Sequence, residues 1–125
     1  MKQRVSSGSA LEPVIGFCRA LRFGDRILIA GTAAIEPDGS STAGGAAAQM
    51  ERCCAIVAKV IGDLGGHIDD TVRTRIYLTD RADFALVAAI HGKWFGTARP
   101  ATTTLVVAGF IRPEWLVEIE AVIGR

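Results

Sequence analysis

The run "WLVEIEAVI" at residues 115–123 alternates so regularly that it reads as one local structure, a strand. Successive side chains of a strand point to opposite faces, so Trp115, Val117, Ile119, Ala121 and Ile123 share one face. Leu116, Glu118, Glu120 and Val122 share the other. The first face is core. The second carries two carboxylates, and carboxylates are rarely buried without partners, so that face must meet solvent, a ligand cleft or another subunit.

The rest of the chain reads as elements built around such a strand. Residues 15–23 and the run "RILIAGTA" flank Gly24 and Asp25 as a hairpin. "IEPDGSSTAGG" is a loop, with Ser41 or Thr42 as the expected cap of a helix. In that helix Met50, Cys53, Val57, Ile61 and Leu64 recur at steps of three or four, Gln49, Glu51, Arg52, Lys59 and Asp63 fall mostly elsewhere on the wheel, and Gly65 and Gly66 end it. "TVRTRIYLT" is a strand with Arg73, Arg75, Tyr77 and Thr79 on one face and Val72, Thr74, Ile76 and Leu78 on the other. Asp80 can cap a second helix, whose stripe is Phe84, Val87, Ala88, His91, Trp94 and Phe95 and whose stop is Gly96. "RPATTTLVVAGF" and "WLVEIEAVI" close the chain as strands. The order β-β-α-β-α-β-β describes an α+β fold in a single domain over residues 1–125, with a mixed sheet and two helices on one of its faces. The uncovered face is expected to be buried by self-association.

Composition narrows the function classes. With 14 Lys and Arg against 13 Asp and Glu, the net charge of +1 does not suggest a nucleic-acid surface. No apolar run approaches the roughly 20 residues of a membrane span. "MKQRVSSGSALEP" lacks the apolar segment of a secretion signal, so a soluble, cytoplasmic protein is expected. Cys18, Cys53 and Cys54 are odd in number and two are adjacent, which argues against a disulfide framework. Cys53 and Cys54 read as small apolar fillers, while Cys18, beside a candidate site, is a candidate for an exposed thiol. His67 and His91 are isolated and "GSSTAGGAAA" lacks the Lys-Ser/Thr step of a phosphate loop, so neither metal nor cofactor is expected. His91 reads as a partly buried helix histidine satisfied by one hydrogen bond.

The segments "GFCRALRFGDRILIAGT", "AAAQMERCCAIVAKVIGDLGG", "TVRTRIYLTDRADF" and "RPATTTLVVAGFIRPEWLVEIEAV" together resemble the reactive intermediate deaminase family, RidA/YjgF, also called L-PSP endoribonuclease. The resemblance implies a chorismate-mutase-like α+β fold, a homotrimer whose sheets form a central barrel, and ligand clefts between subunits. In family members that deaminate enamines and imines, an arginine after a Pro-Ala step grips the substrate carboxylate with its planar fork. Here Thr102 follows Pro100 and Ala101, and Phe17 stands at the family's first-strand tyrosine. The chain thus resembles a subgroup without the deaminase arginine. Glu118 matches the family's cleft glutamate, and Gly31 can still offer backbone groups.

On this footing Glu118 is the expected acid/base or water-orienting group, with Phe17, Arg19, Gly31, Thr32, Arg75 and Thr102 around the ligand. Arg19, Arg75 and Arg99 are the candidates to supply a substitute cation. Glu120 is read as structural, paired with Arg75 or Arg73. Two classes stay open: an enzyme acting on a small carbonyl, imine or amide compound, and a non-catalytic ligand-binding or sensing trimer. RNA cleavage, the activity in the family's other name, is disfavoured by the near-neutral charge and by the lack of a paired-histidine constellation.

Overall fold

The computed structural model describes residues 1–124. Its elements are β1 (Lys2–Val5), α1 (Leu11–Ile15), β2 (Ala20–Phe23), β3 (Arg26–Thr32), α2 (Ala46–Asp63), β4 (Thr71–Leu78), α3 (Phe84–Phe95), β5 (Ala101–Val106) and β6 (Val117–Ile123). All strands form one six-stranded sheet in the order β1-β2-β3-β6-β4-β5. Neighbours are antiparallel except β4 and β5, which run parallel across the α3 connection. The α+β class holds, with two additions at the N-terminus.

The alternating run is therefore an interior strand, bonded to β3 on one side and β4 on the other. Val117, Ile119, Ala121 and Ile123 are buried while Glu118, Glu120 and Val122 are half-buried, as the alternation requires. Helix α2 covers the buried face, packing on β3 and β6 and beside α3. Met50, Cys53, Val57 and Ile61 meet Ile27, Ile29, Ile76 and Leu78 in one core. Each fully buried aliphatic side chain of this kind contributes about 1.5–3 kcal/mol. Because β6 has no free edge, its carboxylates can leave the backbone only through the sheet's other, uncovered face.

Local chemistry explains the turns. Phe23 pairs with Arg26, and Gly24 takes φ 59° at the first position of the intervening two-residue turn. At the end of α2, Gly65 (φ 78°) bonds back to Gly62, and Gly66 bonds to the Ile61 carbonyl, a paired closure that only a left-handed residue permits at low cost.

Five readings are corrected. The chain from residue 15 does not enter a strand directly: Ile15 ends α1, Gly16 (φ 86°) reverses the backbone, and β2 begins at Ala20. Neither Ser41 nor Thr42 caps α2; Gly45 occupies that position, and the two hydroxyls bond Glu114 and Glu36 instead. Gln49 is not on the outer face but 2% exposed, because its amide donates to the Glu114 carbonyl and accepts from the Leu116 N–H, pinning the segment before β6 to α2. Val72 is 51% exposed because a bulge between Thr71 and Arg73 turns it off the core face and puts Thr71 there. Phe84, at the first turn of α3, is 50% exposed although Val87 and Phe95 of the same stripe are buried.

Candidate functional site

A second bulge shapes the site. Ile29 pairs with Ala121 but Thr32 with Ile119, so β3 carries one extra residue between those pairs. The extra residue brings Gly31 against β6: a Cβ there would lie 3.1 Å from Glu118 Oε2. Glycine here gives the Glu118 carboxyl room rather than an unusual φ. Thr32, buried, donates its hydroxyl to the Ala30 carbonyl at 2.8 Å and braces the bulge.

Arg19 arrives from the segment before β2. Its backbone N–H bonds the Val5 carbonyl and its own carbonyl accepts from Ala30, so the residue is held between β1 and β3. One guanidinium nitrogen donates to the Gly31 carbonyl, while Nε is buried with no partner. Burial draws the Arg19 pKa below its ordinary value, and the nearby Glu118 charge acts the other way. Arginine remains a cation at neutral pH.

Glu118 faces the same space. Burial pushes its carboxyl pKa above the ordinary value, the Arg19 charge pulls it down, and the Glu120 charge adds to the rise. None of the ion pairs closer than 4.0 Å among the described residues includes Glu118. These groups lie in a groove of about 390 Å³ walled by Phe17, Leu11, Ile15, Ile35, Ile56 and Ile111. An apolar wall over a few convergent polar groups is the usual build of a small-molecule site. Arg52 and Glu36 line the groove as a pair 3.6 Å apart, with Arg52 also donating to the Ile35 carbonyl at 2.8 Å.

Of the residues expected around a ligand, Glu118, Phe17, Arg19, Gly31 and Thr32 are brought together here. Two are not, within one chain. Arg75 lies on the uncovered sheet face, 3.6 Å from Glu120, in a separate hollow of about 640 Å³ that Cys18 also lines. Thr102 points to the helix side, its hydroxyl 2.8 Å from that of Thr74 and 3.0 Å from the Pro100 carbonyl. Arg99, the remaining cation candidate, is exposed at φ 50° in the turn before β5. The walls supplied by α1, Glu36 and Arg52 were missed. Leu11 and Ile15, an i, i+4 apolar pair just before a glycine, were the available signal.

The profile of the family described as "Endoribonuclease L-PSP" matches residues 7–124. The chain belongs to the endoribonuclease L-PSP family. An uncharacterized protein of Streptomyces coelicolor is 37% identical over 118 residues, covering 94% of this chain and 88% of that one. A RutC family protein of Pyrococcus abyssi is 26% identical, with 97% and 95% covered. Among solved structures, a Mycobacterium tuberculosis member of the YjgF/YER057c/UK114 family superposes with TM-score 0.89 at 36% identity, covering 100% of both chains. A Rid family protein from Yersinia pestis of unknown function gives 0.88 at 26% identity over 100% of both. These likenesses bear out the RidA/YjgF resemblance.

In this L-PSP family chain the remaining chemical candidates are structural. His91 Nε2 lies 2.8 Å from the Thr74 hydroxyl, its ring stacks on Phe95 at 4.7 Å between centroids, and burial lowers its pKa. Cys53 and Cys54 are fully buried free thiols, and burial raises both pKa values, that of Cys54 to about 12. They are fillers, not nucleophiles. Glu120 pairs with Arg75, as expected. No helix among the described residues is long and apolar enough to cross a membrane.

Proposed function

We propose that the groove binds a small metabolite and that Glu118 moves a proton or orients a water in the hydrolysis or deamination of a carbonyl, imine or amide compound. One observation carries this reading: Glu118 is a partly buried carboxyl with a raised pKa and no close ion pair, aimed into a concave site beside a cation. A carboxyl whose protonated form is favoured by burial can donate a proton and take one back. The near-neutral chain charge and the structural role of His91 weigh against RNA cleavage, the activity in the family's name.

The test is turnover of a panel of small imines, amides and carbonyl compounds by the wild type and Glu118→Gln. Turnover that falls by about 100-fold or more in the variant upholds the assignment. Undiminished turnover in Glu118→Gln overturns it. Generated in situ, 2-aminoacrylate is expected to show negligible acceleration, since Phe17 lacks a hydroxyl and Thr102 lacks positive charge.

A second reading, a binding or sensing protein without turnover, draws support from Thr102, whose hydroxyl is already engaged by Thr74 and Pro100. Saturable binding with no turnover across the panel would favour it. Under either reading we propose a homotrimer, because the sheet face that bears Leu28 and Leu105 has no covering layer within the chain and β5 has a free edge. Light scattering that returns a stable monomer at micromolar concentration would refute it.

A further inference from the structure

We propose that Glu118 and Glu120 form an unequal carboxylate pair, in which Glu120 is a fixed anion held by Tyr77 and Arg75 and Tyr77 is a positioning residue for a groove it does not line. This rests on Glu118 being the proton-handling group proposed above. The strand register supplies the geometry: Tyr77 stands opposite Glu118, and Arg75 stands opposite Glu120. Tyr77 does not bond the residue it faces. It leans one pair along the ladder and donates its hydroxyl to Glu120 Oε1. Arg75 lies 3.6 Å from the other oxygen, Oε2. Diagonal contacts of this span are within reach of a tyrosine.

The two carboxylates thus share one strand face, about 7 Å apart along the chain, with opposite treatment. Both oxygens of Glu120 are engaged, and Glu118 has no close ion pair. A hydrogen bond and a cation favour the charged form of Glu120. Its negative charge then stands beside Glu118, whose carboxyl is partly buried and less restrained, and which is therefore the one to keep its proton. Environments that drive two neighbouring carboxyls apart assign the acid and the anion.

The other groups around Glu118 do not reverse this. From β3 comes Gly31, which bears no charge, and from α2 come Cys53, a neutral buried thiol, and Arg52, paired with Glu36. From β4 comes Tyr77, a neutral phenol whose pKa is raised, chiefly by its bond to Glu120. Arg19 is the cation that favours ionised Glu118, and burial and Glu120 oppose it.

The experiment is a pH titration followed by the side-chain carboxyl carbon signals of glutamate-labelled protein. It compares the wild type, Glu120→Gln and Tyr77→Phe, with Glu118→Gln identifying the Glu118 signal. In the wild type, Glu118 is expected to titrate above the other glutamates. In Glu120→Gln the Glu118 midpoint should fall by about half a pH unit or more. In Tyr77→Phe, which removes one of the two groups holding Glu120, the Glu118 midpoint should fall by less. A Glu118 midpoint unmoved in folded Glu120→Gln overturns the pair. Should that variant fail to fold, Tyr77→Phe decides, and an unmoved Glu118 midpoint overturns it. No substrate enters the measurement: shifted midpoints without turnover would reject the function and leave the pair, whereas turnover with unmoved midpoints would do the reverse.

Discussion

The two faces of the sheet treat polar groups in opposite ways. On the helix-covered face the polar side chains of α2 and β4 have partners, and only Trp115 Nε1, at the groove end of that face, is buried without one among the described residues: Gln49 bonds Glu114 and Leu116 just before β6, Thr74 meets both His91 and Thr102, and Thr71 donates to the Ile68 carbonyl. On the uncovered face and at its rim, Glu118 has no close ion pair, and Arg19 Nε and Arg73 Nε are buried without partners. Leaving such groups unpaired costs free energy, so their persistence is instructive. The covered face is built for stability, and the other is left with groups that a ligand or a neighbouring subunit can satisfy.

The sharpest way to break that contrast is a cavity on the covered face. Ile119 is fully buried, paired with Thr32 on β3 and with Ile76 on β4, and Ile119→Ala should cost about 2–5 kcal/mol in denaturant unfolding at fixed protein concentration. A loss below about 1 kcal/mol would show that the stability lies elsewhere.

Glu118→Gln should behave in the opposite way. The folded-state pKa of Glu118 is raised, so between its ordinary value of 4.5 and that higher value the folded state holds a proton the unfolded chain has released. Stability is therefore lost as pH rises through this window. Glutamine removes that loss, and the variant should melt no lower than the wild type at pH 8, with any advantage vanishing near pH 4. A clearly lower melting temperature at pH 8 would make Glu118 a structural partner and erase the contrast between the faces.

The smallest effect is expected at His91. Burial depresses its folded pKa below 6.5, so its neutral form contributes stability above that pH that is lost as pH falls through the depressed value. His91→Gln, which can keep a bond to Thr74, should change stability at pH 7.5 by about 1 kcal/mol or less and flatten the decline between pH 6.5 and 5. Unchanged acid sensitivity would mean that another group carries it.

Much of this was legible in the chain because it is local. The alternation over residues 115–123, the Met50 to Leu64 stripe of α2 and the Gly65-Gly66 stop depend on periodicity and backbone freedom, which neighbouring residues set. The likeness to RidA/YjgF also pointed to Glu118, Gly31 and Phe17, and Arg19 with them, as groups around one cleft, and these line one groove of the fold. Other features depend on which strand pairs with which. The Lys2–Val5 strand has no apolar alternation of its own and is defined by backbone bonds to β2. Val72 leaves the core, and Gly31 approaches Glu118, because each bulge is a mismatch between two strands far apart in sequence. A residue list cannot show such a mismatch. Gln49 is polar and so reads as exposed until the segment before β6 brings a carbonyl and an N–H to it. The sequence by itself determined that two carboxylates share one face of an otherwise apolar strand. Only the tertiary structure decided that Tyr77 and Arg75 would hold one and leave the other free, because that choice is made by cross-strand register, which the chain acquires only when β4 and β6 meet.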